Sequence, residues 1–219
     1  MQQISFTPAL GRAGFLRGYD QAIRLLTRER TWRMALLRQV DPGEGDVILD
    51  VGCGTGTFAI MLKRKCPASH VIGLDPDPEI LKIAARKAAD AGVAIEWRNG
   101  FASEAAAFVS VADKAVSSLV LHQVGMLEKR KGIAAMFAAV RPGGAVHIAD
   151  YASQRGTMRA LFRLTVQQID GLTDTQPNAD GALEAILSER SGSPVRPTEV
   201  VNTPTGAISL FRVPKSRVT

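Results

Sequence analysis

Residues 47–60 read VILDVGCGTGTFAI, a short apolar run that ends in Asp50 and leads into three closely spaced glycines. Beyond the glycines, apolar residues recur at helical spacing. The pattern predicts a buried strand, a tight turn and the start of a helix. Glycine removes the Cβ where a ligand must press against backbone, and the N–H groups that open a helix face such a ligand. We therefore expect a ligand site at this turn.

The three glycines are Gly52, Gly54 and Gly56, and Asp50 stands two residues before the first of them. Dinucleotide-binding folds prefer the different spacing G-x-G-x-x-G. These four residues match every fixed position of the motif D-x-G-x-G-x-G. In this motif the chain resembles the class I S-adenosylmethionine-dependent methyltransferases. The resemblance implies a Rossmann-like α/β fold with helices on both faces of a seven-stranded sheet. Six of its strands are parallel and the last is antiparallel.

A second apolar stretch, His70–Asp75, predicts the neighbouring parallel strand. A fixed carboxylate at its tip, here Asp75, accepts both hydroxyls of an adenosine ribose, in methyltransferases and dinucleotide enzymes alike. The resemblance implies S-adenosyl-L-methionine as cofactor and S-adenosyl-L-homocysteine as product. It also implies that Asp50 and the glycine turn, Cys53 included, hold the methionine part, and that Pro76 lies against the adenine.

The third predicted strand, Ala94–Gly100, departs from the family pattern at its end. Many relatives continue Gly-Asp-Ala, with the acid on the adenine amino group, whereas this chain has Gly100, Phe101 and Ala102. We expect Gly100 and Phe101 to contact the adenine through backbone groups and an apolar face. Because the acid is missing, adenine recognition is expected to be weaker than ribose recognition.

Asp113–Val124 reads DKAVSSLVLHQV and resembles the family stretch F-D-x-V-x-S-S-x-V-L-H-H, with Gln123 in place of the second histidine. Reacting groups in open α/β sheets gather outside the carboxyl ends of the strands. Ser118 falls there and is predicted to contact the cofactor. His122 falls there too, and two roles stay open for it. It accepts a proton from a hydroxyl, amine or carbon nucleophile, or it makes an ordinary structural bond.

Residues 1–42 are predicted to form an N-terminal helical cap, and residues 43–219 the methyltransferase domain. Tyr19 matches a tyrosine that relatives carry on a helix across the methionine end of the cofactor, which makes it the second catalytic candidate. Packing on a helix surface is the alternative for Tyr19. An insertion at about 152–192 is expected to cover the substrate.

That insertion shows three kinds of pattern. Arg155–Ile169 is amphipathic at helical spacing, TDTQPNADG is polar, and a helix is predicted from Ala182 to Arg190. The choice of substrate is expected to be made here and in the N-terminal helices.

The net charge is +6, and seven arginines stand between Gly11 and Arg38. This basic face could meet anionic lipid, an acidic substrate or nucleic acid, and a solvated helix surface is the alternative. Aromatic residues make up only 5% of the chain, which argues against stacking platforms for nucleic acid. An N-P-P-Y or D-P-P-Y motif is also missing after the fourth strand. We therefore expect no nucleic-acid partner.

Further patterns bear on location and metal content. No apolar run approaches the roughly 20 residues of a membrane span, and the first residues lack the order of a signal peptide. Cys53 and Cys66 have no metal-ligand spacing. We expect a cytoplasmic monomer or homodimer without a metal, with at most peripheral membrane contact.

These features predict a methyltransferase that acts on a small molecule by in-line displacement from the sulfonium. The family members it resembles most are the ubiquinone/menaquinone-biosynthesis-like enzymes, and the acceptor is an oxygen, nitrogen or carbon nucleophile, such as a lipid, quinone or secondary metabolite. Two alternatives stay open. A non-catalytic adenosyl-binding protein would explain the thinned loop at 100–112. A nicotinamide-linked oxidoreductase would share Asp50 and Asp75 but lacks G-x-G-x-x-G.

Overall fold

The structure is a computed structural model that describes residues 28–109 and 111–216. Tyr19 and most of the predicted cap at 1–42 lie outside the described residues. The catalytic role of Tyr19 and the division of the chain at residue 42 therefore stay predictions.

Within the described residues, seven strands form one sheet in the order β3-β2-β1-β4-β5-β7-β6. The strands are β1 (Val47–Val51), β2 (His70–Asp75), β3 (Glu96–Asn99), β4 (Ala112–Ser118), β5 (Val140–Tyr151), β6 (Glu199–Thr203) and β7 (Gly206–Pro214). The first five strands pair in parallel, and β7 runs antiparallel between β5 and β6. The predicted sheet, with its last strand antiparallel, is confirmed.

Helices cover both faces of this sheet, as predicted. They are α1 (Glu29–Val40), α2 (Thr57–Lys65), α3 (Pro78–Asp90), α4 (Ala105–Phe108), α5 (Met126–Ala139), α6 (Gly156–Leu164), α7 (Val166–Asp170), α8 (Leu172–Ala179) and α9 (Ala182–Ser191). One hydrophobic core joins the sheet to α5 and α9, and a second joins its other face to α1, α2 and α6.

Helix α1 is the described part of the N-terminal segment. Its Trp32 and Leu36 are fully buried and share a core with Phe58 of α2 and Ile48 of β1. Burying each such side chain contributes roughly 1.5–3 kcal/mol. This apolar stripe fixes α1 against the sheet.

The insertion is helical along most of its length, which differs from the pattern of the sequence. The amphipathic segment is two helices, because Thr165 leaves helical geometry (φ −120°, ψ −81°) and its hydroxyl donates to the Leu161 carbonyl (2.7 Å). The polar stretch contains α8, although Pro177 lies inside it. Asn178 of α8 is fully buried, and its amide donates to the Tyr151 carbonyl (2.7 Å). Buried polar groups with partners thus stabilise a helix whose polarity suggests a surface segment.

Candidate active site

The glycine turn is held against the end of β2 by backbone hydrogen bonds. The N–H groups of Gly52 and Cys53 donate to the Leu74 carbonyl at 2.8 and 3.1 Å. The N–H of Gly54 donates to Oδ2 of Asp75 at 2.9 Å. Because β1 lies between β2 and β4 in the sheet, this turn stands where the strand order reverses. Open α/β sheets bind their ligands at that position.

The three glycines of the turn serve different purposes, although all have positive φ (71°, 51° and 72°). A Cβ on Gly52 would lie 2.4 Å from Cγ2 of Val120, and one on Gly56 would lie 2.5 Å from the Trp97 ring. A Cβ on Gly54 would meet no described atom within 4 Å. Packing therefore explains two of the glycines, and Gly54 is the one whose Cβ side is open.

Asp50 is the most unusual carboxyl group of the site. It is fully buried, and neither of its oxygens has a hydrogen-bond partner among the described residues. Burial raises the pKa of Asp50 to about 7. The charge of Arg33 and the nearby N–H of Ala59, which is too far or too poorly aligned for a hydrogen bond, oppose that rise, and the charge of Asp75 adds to it. A buried acceptor left without a partner costs on the order of 1–3 kcal/mol, and a cationic ligand would remove that cost. Asp50 thus fits the ammonium group of a bound amino acid.

Asp75 is already partly oriented by the chain. It accepts hydrogen bonds from the N–H groups of Gly54 (2.9 Å) and Asp77 (3.0 Å). Burial raises the pKa of Asp75, although these two N–H groups act in the opposite direction. The fixed carboxylate, with its remaining lone pairs, suits a ribose diol.

Two side chains that the sequence analysis did not single out support this edge. The Asn99 amide donates to the carbonyls of Asp75 (3.1 Å) and Pro76 (3.0 Å). Lys87 of α3 donates to the hydroxyls of Thr55 (2.8 Å) and Thr57 (2.7 Å), which flank the last glycine of the turn. Lys87 stands 30 or more residues from both, so no local signal could have found it.

The adenine side of the site is less open than predicted. Gly100 donates to the Asp75 carbonyl (3.1 Å), and the Phe101 ring is 38% exposed. The N–H of Phe101, however, donates to Oε2 of Glu104 at 2.7 Å. Phe101 therefore offers an adenine its apolar ring, while its N–H is used within the chain.

Ser118 lies half-buried at the end of β4, and its neighbour Ser117 is fully buried. The Ser117 hydroxyl has no hydrogen-bond partner among the residues that the structure describes. Leu119 follows with φ 54°, a conformation that costs an L-residue roughly 1–2 kcal/mol. Strain of this kind clusters at ligand sites, and the sequence carried no signal for it.

His122 lies between two carboxylates. Its Nδ1 donates to Oδ1 of Asp150 at 2.7 Å, and its Nε2 is 3.4 Å from Oδ2 of Asp170. Burial alone would lower the pKa of His122, but the two carboxylates outweigh it and raise the pKa to about 9. At pH 7 the His122 ring is therefore cationic. In this arrangement it holds a proton and cannot accept one.

The Asp150 carboxylate accepts all of its hydrogen bonds in this structure from groups of the chain itself. Besides His122, it accepts hydrogen bonds from the N–H groups of Val120 (3.0 Å), Leu121 (2.7 Å) and Tyr151 (2.8 Å). Its side chain is fully buried. Asp150 thus fixes both the turn after β4 and the orientation of His122.

Lys129 of α5 extends the polar cluster beneath the insertion. It is fully buried, and its Nζ donates to Oδ1 of Asn178 at 2.5 Å. Burial lowers the pKa of Lys129, while the charges of Asp150 and Asp174 oppose that shift. The sequence analysis missed this lysine, because it reads as part of a charged helix start.

The described part of the chain contains neither a cluster of metal-ligating side chains nor a membrane-spanning helix. Across residues 28–109 and 111–216, no three His, Cys, Asp or Glu side chains are grouped so that they could hold a metal ion. No helix in those ranges has the length and apolar character needed to cross a membrane.

Comparison with known proteins identifies relatives of this fold and site. A family model described as a methyltransferase domain matches residues 48–144. A demethylmenaquinone methyltransferase of Deinococcus radiodurans is 28% identical over 154 residues, which cover 69% of this chain and 63% of that protein. A ubiquinone biosynthesis O-methyltransferase of Methylocella silvestris is 36% identical over 107 residues, which cover 47% of this chain and 39% of that protein.

The crystal structure of the S-adenosylmethionine-dependent methyltransferase SibL superimposes with a TM-score of 0.70 at 20% identity. The superposition covers 94% of this chain and 60% of SibL, and at that identity it shows the shared fold. The chain therefore spans less than two thirds of the length of each of these three relatives. The matched residues 48–144 contain the glycine turn, Asp75 and His122, so the part of the chain that carries the predicted site is similar to a methyltransferase domain.

Proposed function

We propose that this chain transfers a methyl group from S-adenosylmethionine to a small-molecule acceptor. The observation that carries the proposal is Asp50, a fully buried carboxyl group whose oxygens lack partners within the described chain, next to the open side of Gly54. A ligand with an ammonium group and a slim adjoining chain completes both features. When bound, S-adenosylmethionine supplies an activated methyl group on a sulfonium leaving group.

The residues divide between the parts of the cofactor. Asp50 receives the ammonium group of the methionine part, and Asp75 receives the ribose hydroxyls. The other contacts proposed are Gly52, Cys53, Gly54, Gly56 and Ser118 along the methionine part, and Pro76, Gly100 and Phe101 at the adenine. Because the leaving group is already good, alignment and proximity supply most of the acceleration.

On the acceptor side, His122 is the described residue we propose to meet the acceptor. Tyr19, the other candidate, lies outside the described residues and stays a prediction. Two relatives are named a demethylmenaquinone methyltransferase and a ubiquinone biosynthesis O-methyltransferase, and these names support an aromatic or quinone-like small molecule as the acceptor. A cytoplasmic location, the absence of nucleic-acid partners, at most peripheral contact with a membrane and a monomeric or homodimeric state remain predictions.

Incubation with tritiated S-adenosylmethionine and a panel of quinols, phenols, enols and amines tests the proposal. We expect label in at least one oxygen or carbon acceptor, and loss of that label in Asp50→Asn. Uptake of the cofactor without transfer to any acceptor would support the non-catalytic alternative. Saturable binding of NADH with no uptake of S-adenosylmethionine would support the oxidoreductase.

A further inference from the structure

The two carboxylates that flank His122 are held very differently. Asp150 is fully buried and accepts three backbone N–H groups. Asp170 is 25% exposed, and its contact with Nε2 of His122 is a 3.4 Å ion pair. A hydrogen bond to a charged group is normally about 2.7–2.9 Å. Asp150 is thus a permanent partner of His122, and Asp170 is a loose one.

The segment that carries Asp170 is also loosely tied to the sheet. Helix α7 spans five residues between two breaks, at Thr165 (φ −120°, ψ −81°) and at Gly171 (φ 81°). The neighbours of Asp170 include Ile169 and Leu172, whose side chains are 61% and 56% exposed. Gln167 ties α7 to α8, through Oε1 of Gln176 at 3.0 Å. Val166 at the start of α7 belongs to the second hydrophobic core, whereas Asp170 lies at the other end of α7, next to the break at Gly171. A local change at that break can therefore move Asp170 away from His122 while Val166 keeps its place in the core.

We propose that the carboxylate of Asp170 occupies the place of the acceptor, and that an acceptor with an acidic hydroxyl replaces it at Nε2 of His122 as an oxyanion. This inference rests on the proposed function and names its acceptor class, a phenol or enol bound as its conjugate base. Asp170 would then select the acceptor by competing with it.

Charge balance in the cluster favours an anion over a neutral or cationic acceptor. His122 is 5% exposed, and one nitrogen is already used by Asp150. Departure of Asp170 leaves Asp150 at Nδ1 but removes the anion at Nε2, and only a ligand with a negatively charged oxygen restores a charge-assisted interaction between two ions there. A phenolate or enolate oxygen meets that requirement, whereas an amine or a neutral ketone does not.

The groups that face His122 come from several elements. Asp150 approaches from β5 and Asp170 from α7, and the Tyr151 ring stands edge-on at 5.1 Å between centroids. Lys129 and Asp174, from α5 and α8, belong to the same cluster of charges as Asp150. For transfer to oxygen, the oxyanion supplies the electron pair of the new C–O bond. The C–S pair leaves with sulfur as a neutral sulfide, and His122 keeps its proton.

Binding of para-nitrophenol, whose absorbance reports the phenolate, tests this proposal without any methyl transfer. The variants are Asp170→Asn and the matched control Asp180→Asn, because Asp180 is an exposed carboxylate of the same insertion whose partners are Arg159 and Gln176. We expect Asp170→Asn to bind the phenolate at least roughly fivefold more tightly than the wild type, and Asp180→Asn to match the wild type. The uncharged para-nitroanisole should bind equally to all three proteins.

Equal phenolate affinity in wild type and Asp170→Asn would overturn the proposal, as would an equal gain for para-nitroanisole. A second readout is the titration of the His122 ring by NMR. Its pKa should fall in Asp170→Asn and rise again when the phenolate is bound. Calorimetry with S-adenosylhomocysteine on the same proteins separates the two proposals. If S-adenosylhomocysteine does not bind, the proposed function is contradicted. If it binds but wild type and Asp170→Asn have the same affinity for the phenolate, only the role of Asp170 is contradicted.

Discussion

The two edges of the site differ in how far the chain satisfies its own charged groups. At the donor edge, formed by Asp50, the glycine turn and Asp75, the Asp50 carboxyl has no hydrogen-bond partner among the described residues. At the acceptor edge, formed by His122, Asp150 and Asp170, every carboxylate has a partner within the chain. Among the described residues, the donor edge thus lacks a hydrogen-bond partner that a ligand would supply, whereas a ligand at Nε2 of His122 must displace Asp170.

This difference indicates which edge of the site is preorganised for its ligand. Backbone hydrogen bonds and the close packing of Gly52 and Gly56 fix the donor edge, so we expect cofactor binding to require little rearrangement. At the acceptor edge, Nε2 of His122 is covered by Asp170 of α7, a helix that lies between breaks at Thr165 and Gly171, and in our proposal the acceptor competes with Asp170. We therefore propose that selectivity for the acceptor depends on the insertion more than on the sheet.

Two alanine variants within the glycine turn should have the largest effects and should separate packing from ligand contact. Gly52→Ala adds a Cβ 2.4 Å from Val120, at φ 71°. Overpacking and the left-handed conformation together should destabilise the fold by roughly 2–5 kcal/mol. Gly54→Ala has open space at φ 51°, so only the conformational cost of roughly 1–2 kcal/mol applies.

Urea unfolding and cofactor calorimetry on both variants measure this contrast. Gly54→Ala should stay folded and lose cofactor affinity, because its methyl group enters the open side of the turn. If Gly54→Ala were the less stable variant, the assignment of the open side would be wrong.

Stability at high pH tests the acceptor edge. Unfolded histidine has its pKa near 6.5, and the pKa of His122 in the fold is about 9. The stabilisation is therefore fully present below pH 6.5 and is lost as the pH rises through 9. Its size should be about 3 kcal/mol. Urea unfolding from pH 6 to 10, with His122→Gln as the reference, measures it. A constant difference between the two proteins across that range would contradict the charged cluster.

Asp75→Ala should weaken cofactor binding by about 1–3 kcal/mol, because hydrogen bonds to a charged group are lost. Asp77→Ala is the matched control two residues away. Asp77 caps α3 through the N–H groups of Glu79 and Ile80, so its loss should lower stability by about 1 kcal/mol. Calorimetry should show normal cofactor affinity in Asp77→Ala. Equal losses of cofactor affinity in both variants would contradict the proposed contact between Asp75 and the ribose.

The smallest effect is expected from Lys87→Met, which removes the donor to Thr55 and Thr57. Loosening the turn should lower cofactor affinity by less than about 1.5 kcal/mol. Lys82→Met on the same helix removes a lysine that pairs with the exposed Glu79, and it should leave affinity unchanged. An unchanged Kd in Lys87→Met would show that the turn keeps its shape without this support.

The donor edge could be predicted from sequence because its chemistry is local. The glycine spacing, Asp50 and the acid at the end of β2 lie within 26 consecutive residues, and strand periodicity placed them at one edge. The purpose of each glycine could not be read, since Val120 and Trp97 reach Gly52 and Gly56 from distant segments. The sequence also did not predict that the N–H of Phe101 donates a hydrogen bond to the Glu104 side chain, which lies three residues further along a short helical turn.

The acceptor edge was less accessible because its contacts join distant residues. His122 was found by motif, but Asp170 lies 48 residues later, one residue beyond the predicted amphipathic segment and at the end of α7. The charge state of His122 depends on both carboxylates, so the sequence left its role open. Lys129 and Asn178, which are 49 residues apart, carried no pattern that predicts their contact.

Calorimetric titration of the pure protein with S-adenosylhomocysteine, at about pH 6 and about pH 8, tests the donor edge most directly. Since the pKa of Asp50 is about 7, and an ammonium ligand favours its charged form, affinity should rise with pH by up to roughly tenfold. Asp50→Asn should bind weakly and equally at both pH values. We predict saturable uptake of S-adenosylhomocysteine with this pH dependence, and no uptake by the folded protein at either pH would contradict the role of the donor edge.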